Sequence, residues 1–151
     1  YDLADINQCL DSTLSIIDNE LKYKVTLHKD YADLPSTYCY PQQLNQVFLN
    51  LLINAGQAIE EKGDIYIRTH CEEGQILVSI RDNGCGIPGK NLSRLFEPFF
   101  TTKEVGQGTG LGLSIAYDII KKHEGDIQVE SRIGEGTTFT IRLPVIESAP
   151  E

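Results

Sequence analysis

Apolar residues recur along this chain with two periods, one near 3.6 and one of two. In residues 5–19, Ile6, Leu10, Leu14 and Ile17 fall at three- and four-residue steps among Asp and Ser, the spacing of an amphipathic helix with one stripe for a core. Residues 24–29 alternate Val25 and Leu27 with polar neighbours and predict a half-buried strand. Residues 31–40 carry Leu34-Pro35, with Pro41 just beyond, and read as a loop. The helical period returns over residues 41–61. Leu44, Val47, Phe48, Leu51, Leu52, Ala55, Ala58 and Ile59 share one broad face, Pro41 suits the first turn, and Gly63 is the stop.

Two β-rich runs follow, residues 64–71 with Ile65 and Ile67, and Gln75–Asp82 with Ile76, Val78 and Ile80. Glu72-Glu73-Gly74 between them predicts a hairpin whose second strand delivers Asp82 to the mouth of a sheet. Residues 88–110 are too long and glycine-rich for a plain connection and read as a mobile lid. A helix is expected over 111–124 with Ile115, Ala116, Ile119 and Ile120 on one face; Lys121, Lys122 and His123 suit its negative end, and Gly125 closes it. Ile127 and Val129, then Phe139, Ile141 and Leu143, alternate in two last strands before a tail at 147–151. The expected architecture is one α/β domain over residues 1–146, a two-layer sandwich with three main helices on one face of a mixed five-stranded sheet.

Two departures from plain core-and-loop patterning carry candidate chemistry. On the helix over 41–61, Gln43, Asn50, Asn54 and Gln57 form a narrow row at the margin of the apolar face, taking about 100° per residue. Asn is a mediocre helix former, so a mid-helix pair asks for a reason. Either carboxamide oxygens hold a magnesium ion, a cation that prefers oxygen, or the row bonds to a neighbouring strand or water. The second departure is glycine. Asp82-Asn83-Gly84-Cys85-Gly86-Ile87-Pro88 follows a strand, and Gly106-Gln107-Gly108-Thr109-Gly110-Leu111-Gly112 leads into a helix. Backbone free to close around an anion, next to a helix N-terminus, suits a phosphate-bearing ligand. Between them, Leu95, Phe96, Phe99 and Phe100 include at least two anchors of the lid onto the core, while Lys103 either reaches a terminal phosphate or stays solvated.

Composition narrows the ligand. The net charge of −9 over 151 residues argues against a nucleic-acid surface, which needs clustered Lys and Arg, whereas one nucleotide needs only local dipoles and a metal. No apolar stretch is long enough to cross a membrane and no signal-peptide pattern opens the chain, so a cytoplasmic location is expected, whether or not the parent protein is membrane-anchored. The start at Tyr1 and the lack of any Met read as a piece of something longer. Cys9, Cys39, Cys71 and Cys85 have neither metal-finger spacing nor the density of a disulfide framework, and read as reduced thiols; Cys85 is either a small filler of its loop or a reactive thiol. His28, His70 and His123 show no partner spacing and read as structural or surface residues.

These motifs resemble the ATP-binding catalytic domain of sensor histidine kinases. Asn50-Leu51-Leu52-Ile53-Asn54-Ala55 is similar to the family's N box, Asp82 to Pro88 to its first glycine box, Phe96-Glu97-Pro98-Phe99-Phe100 to its F box, and Gly108-Thr109-Gly110-Leu111-Gly112-Leu113 to its second glycine box. Gly134-Glu135-Gly136-Thr137-Thr138-Phe139 resembles the closing strand motif. Five motifs in the family's order cover about residues 40–144.

The resemblance implies the layered ATPase (Bergerat) fold shared with gyrase, the ninety-kilodalton chaperones and mismatch-repair ATPases. ATP and Mg2+ are the implied ligands. Asp82, acceptor-only when ionised, takes a hydrogen bond from the adenine amine and disfavours GTP; Gly84 and Gly86 let the base approach, with Ile87 beside them, and Thr137 completes the contact through its hydroxyl, directly or by way of water. Asn54, with Asn50, is the implied magnesium ligand and catalytic pair, Gln57 extends the amide row, and Lys103 joins them at the phosphates. Gly108, Thr109, Gly110, Leu111 and Gly112 bring backbone donors to the phosphates.

The implied partners are a dimerisation and phosphoacceptor helical domain of the same kinase and a response-regulator receiver domain. No His followed by an acidic residue near a helix start occurs here, so the acceptor is expected on another segment. Two other readings remain: a nucleotide-sensing interaction module without turnover, and a gyrase- or chaperone-type clamp, which usually places a water-activating glutamate where Asn50 stands.

Overall fold

The computed structural model describes residues 2–97 and 112–148. In chain order its elements are β1 (Asp2–Ala4), α1 (Ile6–Leu21), β2 (Val25–Tyr31), β3 (Thr37–Cys39), α2 (Pro41–Ala58), β4 (Gly63–Glu72), β5 (Gln75–Asp82), α3 (Gly89–Leu92), α4 (Gly112–Lys122), β6 (Asp126–Arg132) and β7 (Gly136–Pro144).

Five strands form one mixed sheet in the order β2-β4-β5-β7-β6, with β2 parallel to β4 and every other pair antiparallel. The parallel pair needs a crossover, and α2 lies on it. β4 and β5 turn through Glu73 and Gly74, both at positive φ (51° and 76°), which is the twist a two-residue hairpin prefers. α1, α2 and α4 cover one face of this sheet, as the separation of strand and helix patterns predicts.

α1 and α2 bury the stripes their periods lay out, whereas α4 buries Ala116 and Ile120 with Ser114, keeps Ile119 partly buried and leaves Ile115, expected on the same face, exposed. α1 starts at Asp5, whose carboxylate accepts from the Asn7 N–H at 2.9 Å, and buries Ile6, Leu10, Leu14, Ile17 and Leu21. α2 buries Leu44, Val47, Phe48, Leu51, Leu52 and Ala55 against Ile65 and Ile67 of β4, Ile76, Val78 and Ile80 of β5, and Ile141 of β7. Each fully buried side chain of this size contributes about 1.5–3 kcal/mol, so α2 is the main filler between sheet and helix layer. α4 is fastened to α2 near both ends. At its start Asn50 Nδ2 donates to the Gly112 carbonyl at 3.0 Å; beyond its last turn His123 Nε2 accepts from the Tyr40 N–H at 3.1 Å, its Nδ1 bonding back to the Ile119 carbonyl at 2.8 Å.

Three expectations need correction. The loop at 31–40 holds β3, which pairs with β1 in a separate two-stranded sheet, Leu3 opposite Tyr38. α2 stops at Ala58 although Ile59 continues its period, because Ile59 turns extended (φ −93°, ψ 117°) and buries its side chain under the sheet. At the end of α4 the left-handed residue is Glu124 (φ 60°), not Gly125; a side chain at Gly125 would run into the Arg142 carbonyl. Among the described residues no helix is long and apolar enough to cross a membrane.

Candidate functional site

At one end of the sheet, three neighbouring strands present Asp82, Thr137 and Ser131 side by side on the helix-facing side, Asp82 opposite Thr137 and Thr137 opposite Ser131. Alternation along β5 puts Ile76, Val78, Ile80 and Asp82 on that face, so a carboxylate occupies the last place of an otherwise apolar row. Asp82 is buried at 3 % exposure. Burial pushes its carboxyl above the usual carboxylate range, against which the backbone N–H groups of Gly84 and Thr137 pull down; the Gly84 bond to Oδ1 is 2.9 Å long. Among the described residues no cation is paired with it, and a buried acceptor of this kind is poised for a donor from a ligand.

The loop after Asp82 is pinned on every side. Asn83 accepts the Asp64 N–H on Oδ1 at 2.8 Å and donates to the Asp64 carboxylate at 3.1 Å. That carboxylate also meets His28 Nε2 at 2.8 Å, and these bonds hold it below the ordinary range, His28 first. The Cys85 N–H donates to the Ala58 carbonyl at the end of α2, and its carbonyl accepts from Gly134 in the β6–β7 turn. Ile87 N–H donates to Ser131 Oγ at 2.7 Å.

Gly84 and Gly86 therefore owe their missing side chains to protein backbone. A Cβ on Gly84 would strike the Ala58 carbonyl, and one on Gly86, which sits at φ 78°, the Arg132 carbonyl. Room for a base was the expected reason; loop docking by itself already demands glycine at both positions. Cys85 contributes its backbone and leaves its side chain exposed.

Above this row opens a cavity of about 780 Å³, lined by Asp82, Leu92, Ser131, Arg132, Gly136 and Thr137 among others. The stretch after α3 leans on the core. Leu95 is buried, and the Phe96 ring stacks on Tyr117 of α4 at 5.3 Å and meets Phe139 of β7 edge-on at 6.5 Å. Two of the four apolar residues expected as anchors do that; Phe99 and Phe100 lie outside the described residues.

The amide row divides. Asn50 is engaged on both ends, its Oδ1 accepting from Gln46 Nε2 at 2.7 Å while Nδ2 holds Gly112. Asn54 is half-buried one turn further along. Gln57 is exposed and lines a small groove between α1 and α2 with Ile17, Leu21 and Lys24; neither it nor Asn50 nor Asn54 lines the cavity over Asp82. Lys103, Gly108, Thr109, Gly110 and Leu111 lie outside the described residues. Among the described residues no group of three His, Cys, Asp or Glu side chains is placed to hold a metal. The three histidines are structural or surface groups: His28 stacks on Tyr66 at 4.6 Å, His70 is exposed 3.5 Å from Glu72, and His123 is the tether described above.

Ser131 escaped the sequence reading. A lone serine near a strand end carries no signal of its own, and only the register that sets it beside Thr137 gives it meaning.

Comparison with known proteins places this geometry. The family described as histidine kinase-, DNA gyrase B-, and HSP90-like ATPase matches residues 39–147. Sporulation kinase E of Bacillus subtilis (strain 168) is 40 % identical over 154 aligned positions, covering 100 % of this chain and 21 % of that protein. Sensor histidine kinase ZraS of Escherichia coli (strain K12) is 37 % identical over 144, covering 94 % and 30 %. The chain thus spans between about a fifth and a third of these relatives' length.

Among solved structures, the nucleotide-free catalytic domain of histidine kinase ThkA superposes with a TM-score of 0.85 at 29 % identity, covering 97 % of each chain. ThkA in complex with response regulator protein TrrA gives 0.81 at 26 %, covering 95 % of this chain and 41 % of that one. Full-length ShkA in complex with AMPPNP gives 0.85 at 25 %, covering 99 % and 32 %. With the family's profile matched over most of its length and the layered fold shared with histidine-kinase catalytic domains, the chain belongs to the histidine kinase-, DNA gyrase B-, and HSP90-like ATPases, in their histidine-kinase branch.

Proposed function

We propose that this chain binds ATP between α2, the loop after Asp82 and the start of α4, and presents its terminal phosphoryl group to a histidine on a separate dimerisation domain of the same kinase. The carrying observation is Asp82, an acceptor buried at the floor of the cavity and fixed by the Gly84 N–H. Adenine offers an amine there, whereas guanine offers an oxygen that an ionised carboxylate repels. Thr137 adds a hydroxyl next to it. Gly112, together with Gly108, Thr109, Gly110 and Leu111, supplies backbone donors to the phosphates, and Lys103 reaches the terminal one.

Mg2+ fits the donor set of Asn50 and Asn54, neutral oxygen ligands on one face of α2 that leave most of the shell to water and phosphate. Release of the exposed Gln46 from Asn50 frees one such oxygen, while the Gly112 bond keeps the amide oriented. The ion supplies charge neutralisation at the transferring phosphoryl group. This chain's own residues hold and orient the nucleotide; the nucleophile arrives from the acceptor domain, and the phosphoryl passes on to an aspartate of a response regulator. The ShkA complex with AMPPNP and the ThkA complex with TrrA support the nucleotide and the partner. Asn50, an amide bonded on both sides, has no basic group to activate water, which weighs against a hydrolytic clamp.

The test is calorimetric titration of ATP and GTP, with and without Mg2+, into the chain and into Asp82→Asn and Asn54→Ala. ATP is expected to bind in preference to GTP, to weaken at Asp82→Asn and to lose its Mg2+ dependence at Asn54→Ala. Binding of neither nucleotide would overturn the proposal and favour an interaction module.

A further inference from the structure

We propose that Ser131 is a positioning residue for base selection, setting the direction of the Thr137 hydroxyl beside Asp82. This rests on the adenine reading above. Ser131 Oγ has three partners and one hydrogen: Ile87 N–H at 2.7 Å, Thr137 Oγ1 at 2.7 Å and the Gly136 carbonyl at 3.0 Å. Ile87 N–H only donates and the Gly136 carbonyl only accepts. When Ser131 donates to Gly136, Thr137 must donate to Ser131, and Thr137 then faces the cavity with lone pairs alone.

A ligand that needs a donor from Thr137 reverses the order. Ser131 turns its hydrogen to Thr137, Thr137 turns its own to the ligand, and the Gly136 carbonyl is released. The two hydroxyls therefore hold one of two concerted arrangements. In the second, the floor of the cavity reads acceptor at Asp82 and donor at Thr137, the complement of the adenine edge, where an exocyclic amine stands beside a ring nitrogen acceptor. Guanine presents the opposite order. Ser131 thus both polarises the Thr137 hydroxyl and accepts from Ile87, so that the loop and the base-reading hydroxyl are set by one oxygen.

The test compares Ser131→Thr with Ser131→Val, a pair of equal shape that differs in the hydroxyl, with Ser131→Ala as a third variant free of the extra methyl. Kd for ATP and for GTP and unfolding midpoints are measured for each, alone and in a Thr137→Val background. Ser131→Thr is expected to keep the parent's ATP-over-GTP ratio; Ser131→Val and Ser131→Ala are expected to lower it about three- to tenfold, the value of one neutral hydrogen bond. In the Thr137→Val background the loss disappears. A ratio unchanged in Ser131→Val and Ser131→Ala, or an equal fall with and without Thr137, overturns the proposal and leaves Ser131 a loop fastener, even if stability drops. A parent that shows no ATP preference sinks the adenine reading itself, an outcome distinct from both.

Discussion

Four glycines form a natural experiment on what holds the ligand loop. Gly74 and Gly86 share almost the same backbone angle, φ 76° and 78°, but an added Cβ meets nothing within 4 Å at Gly74 and the Arg132 carbonyl at Gly86. At Gly84 no positive φ is involved, and a Cβ would meet the Ala58 carbonyl; at Gly89 neither constraint applies. Substituting Ala at each separates backbone strain from contact. Strain alone costs about 1–2 kcal/mol, offset in part by the roughly 0.4–1 kcal/mol that Ala removes from unfolded-chain entropy. Contact with an immovable carbonyl costs about 1–3 kcal/mol of displaced backbone.

The expected order of destabilisation is therefore Gly86→Ala at about 3 kcal/mol, Gly84→Ala at about 2, Gly74→Ala at about 1, and Gly89→Ala between zero and a small gain. For a chain of this size about 3 kcal/mol is on the order of 10 °C in Tm. Urea unfolding followed by far-UV circular dichroism, with m compared across the set, reads the differences. Equal losses at Gly86 and Gly74 would refute the claim that the β6–β7 turn braces the loop.

Other outcomes follow from the same structure. Because burial raises the Asp82 pKa, the folded chain keeps that proton at pH values where the unfolded chain has lost it, so this residue's contribution to stability declines as pH rises from the ordinary carboxylate range through the raised value. The stability of Asp82→Asn relative to the parent is expected to increase with pH across that window, read as urea midpoints; parallel curves would contradict it. Asp64 and Asp126, both held low by hydrogen-bonded partners, act in the opposite sense and lose their contribution as pH falls through their depressed values. Phe48→Ala, emptying a fully buried site on α2, is expected to cost about 3–5 kcal/mol in chemical unfolding, and a loss under 1 would contradict the packing described. On the proposed reading the acceptor histidine belongs to a separate domain, so this chain alone should bind ATP and transfer phosphate poorly; appreciable histidine phosphorylation of this chain, measured with labelled ATP, would refute that.

Long regular elements were legible from the sequence because their periods are set by the same core. The bounds of β5, Gln75 to Asp82, match residue for residue, and the stripes of α1 and α2 are the buried ones. What escaped was decided by contacts between distant segments. Strands of three residues, as in β1 and β3, are too short to show alternation, and only their mutual pairing makes them strands. Ile59 keeps the helical period and leaves the helix all the same, since its carbonyl neighbour Ala58 is claimed by Cys85. The motif residues Asp82 and Thr137 were read for their chemistry and do meet across two strands, but the backbone contacts of Gly84 and Gly86 and the bonds of Ser131 depend on register and turn geometry that no single-chain pattern carries.

The bond from Cys85 to the last carbonyl of α2 has a mechanical meaning. It ties the helix that bears Asn50 and Asn54 to the loop that begins at Asp82, with Asn54 only about one turn from the joint. The two ends of the proposed nucleotide site are thereby jaws of a gauge with a locked opening. A ligand of different length cannot be met by spreading the jaws without parting that bond and the Gly134–Cys85 bond beside it. On the proposed reading, the sheet and α2 are the fixed measure against which the bound molecule is read.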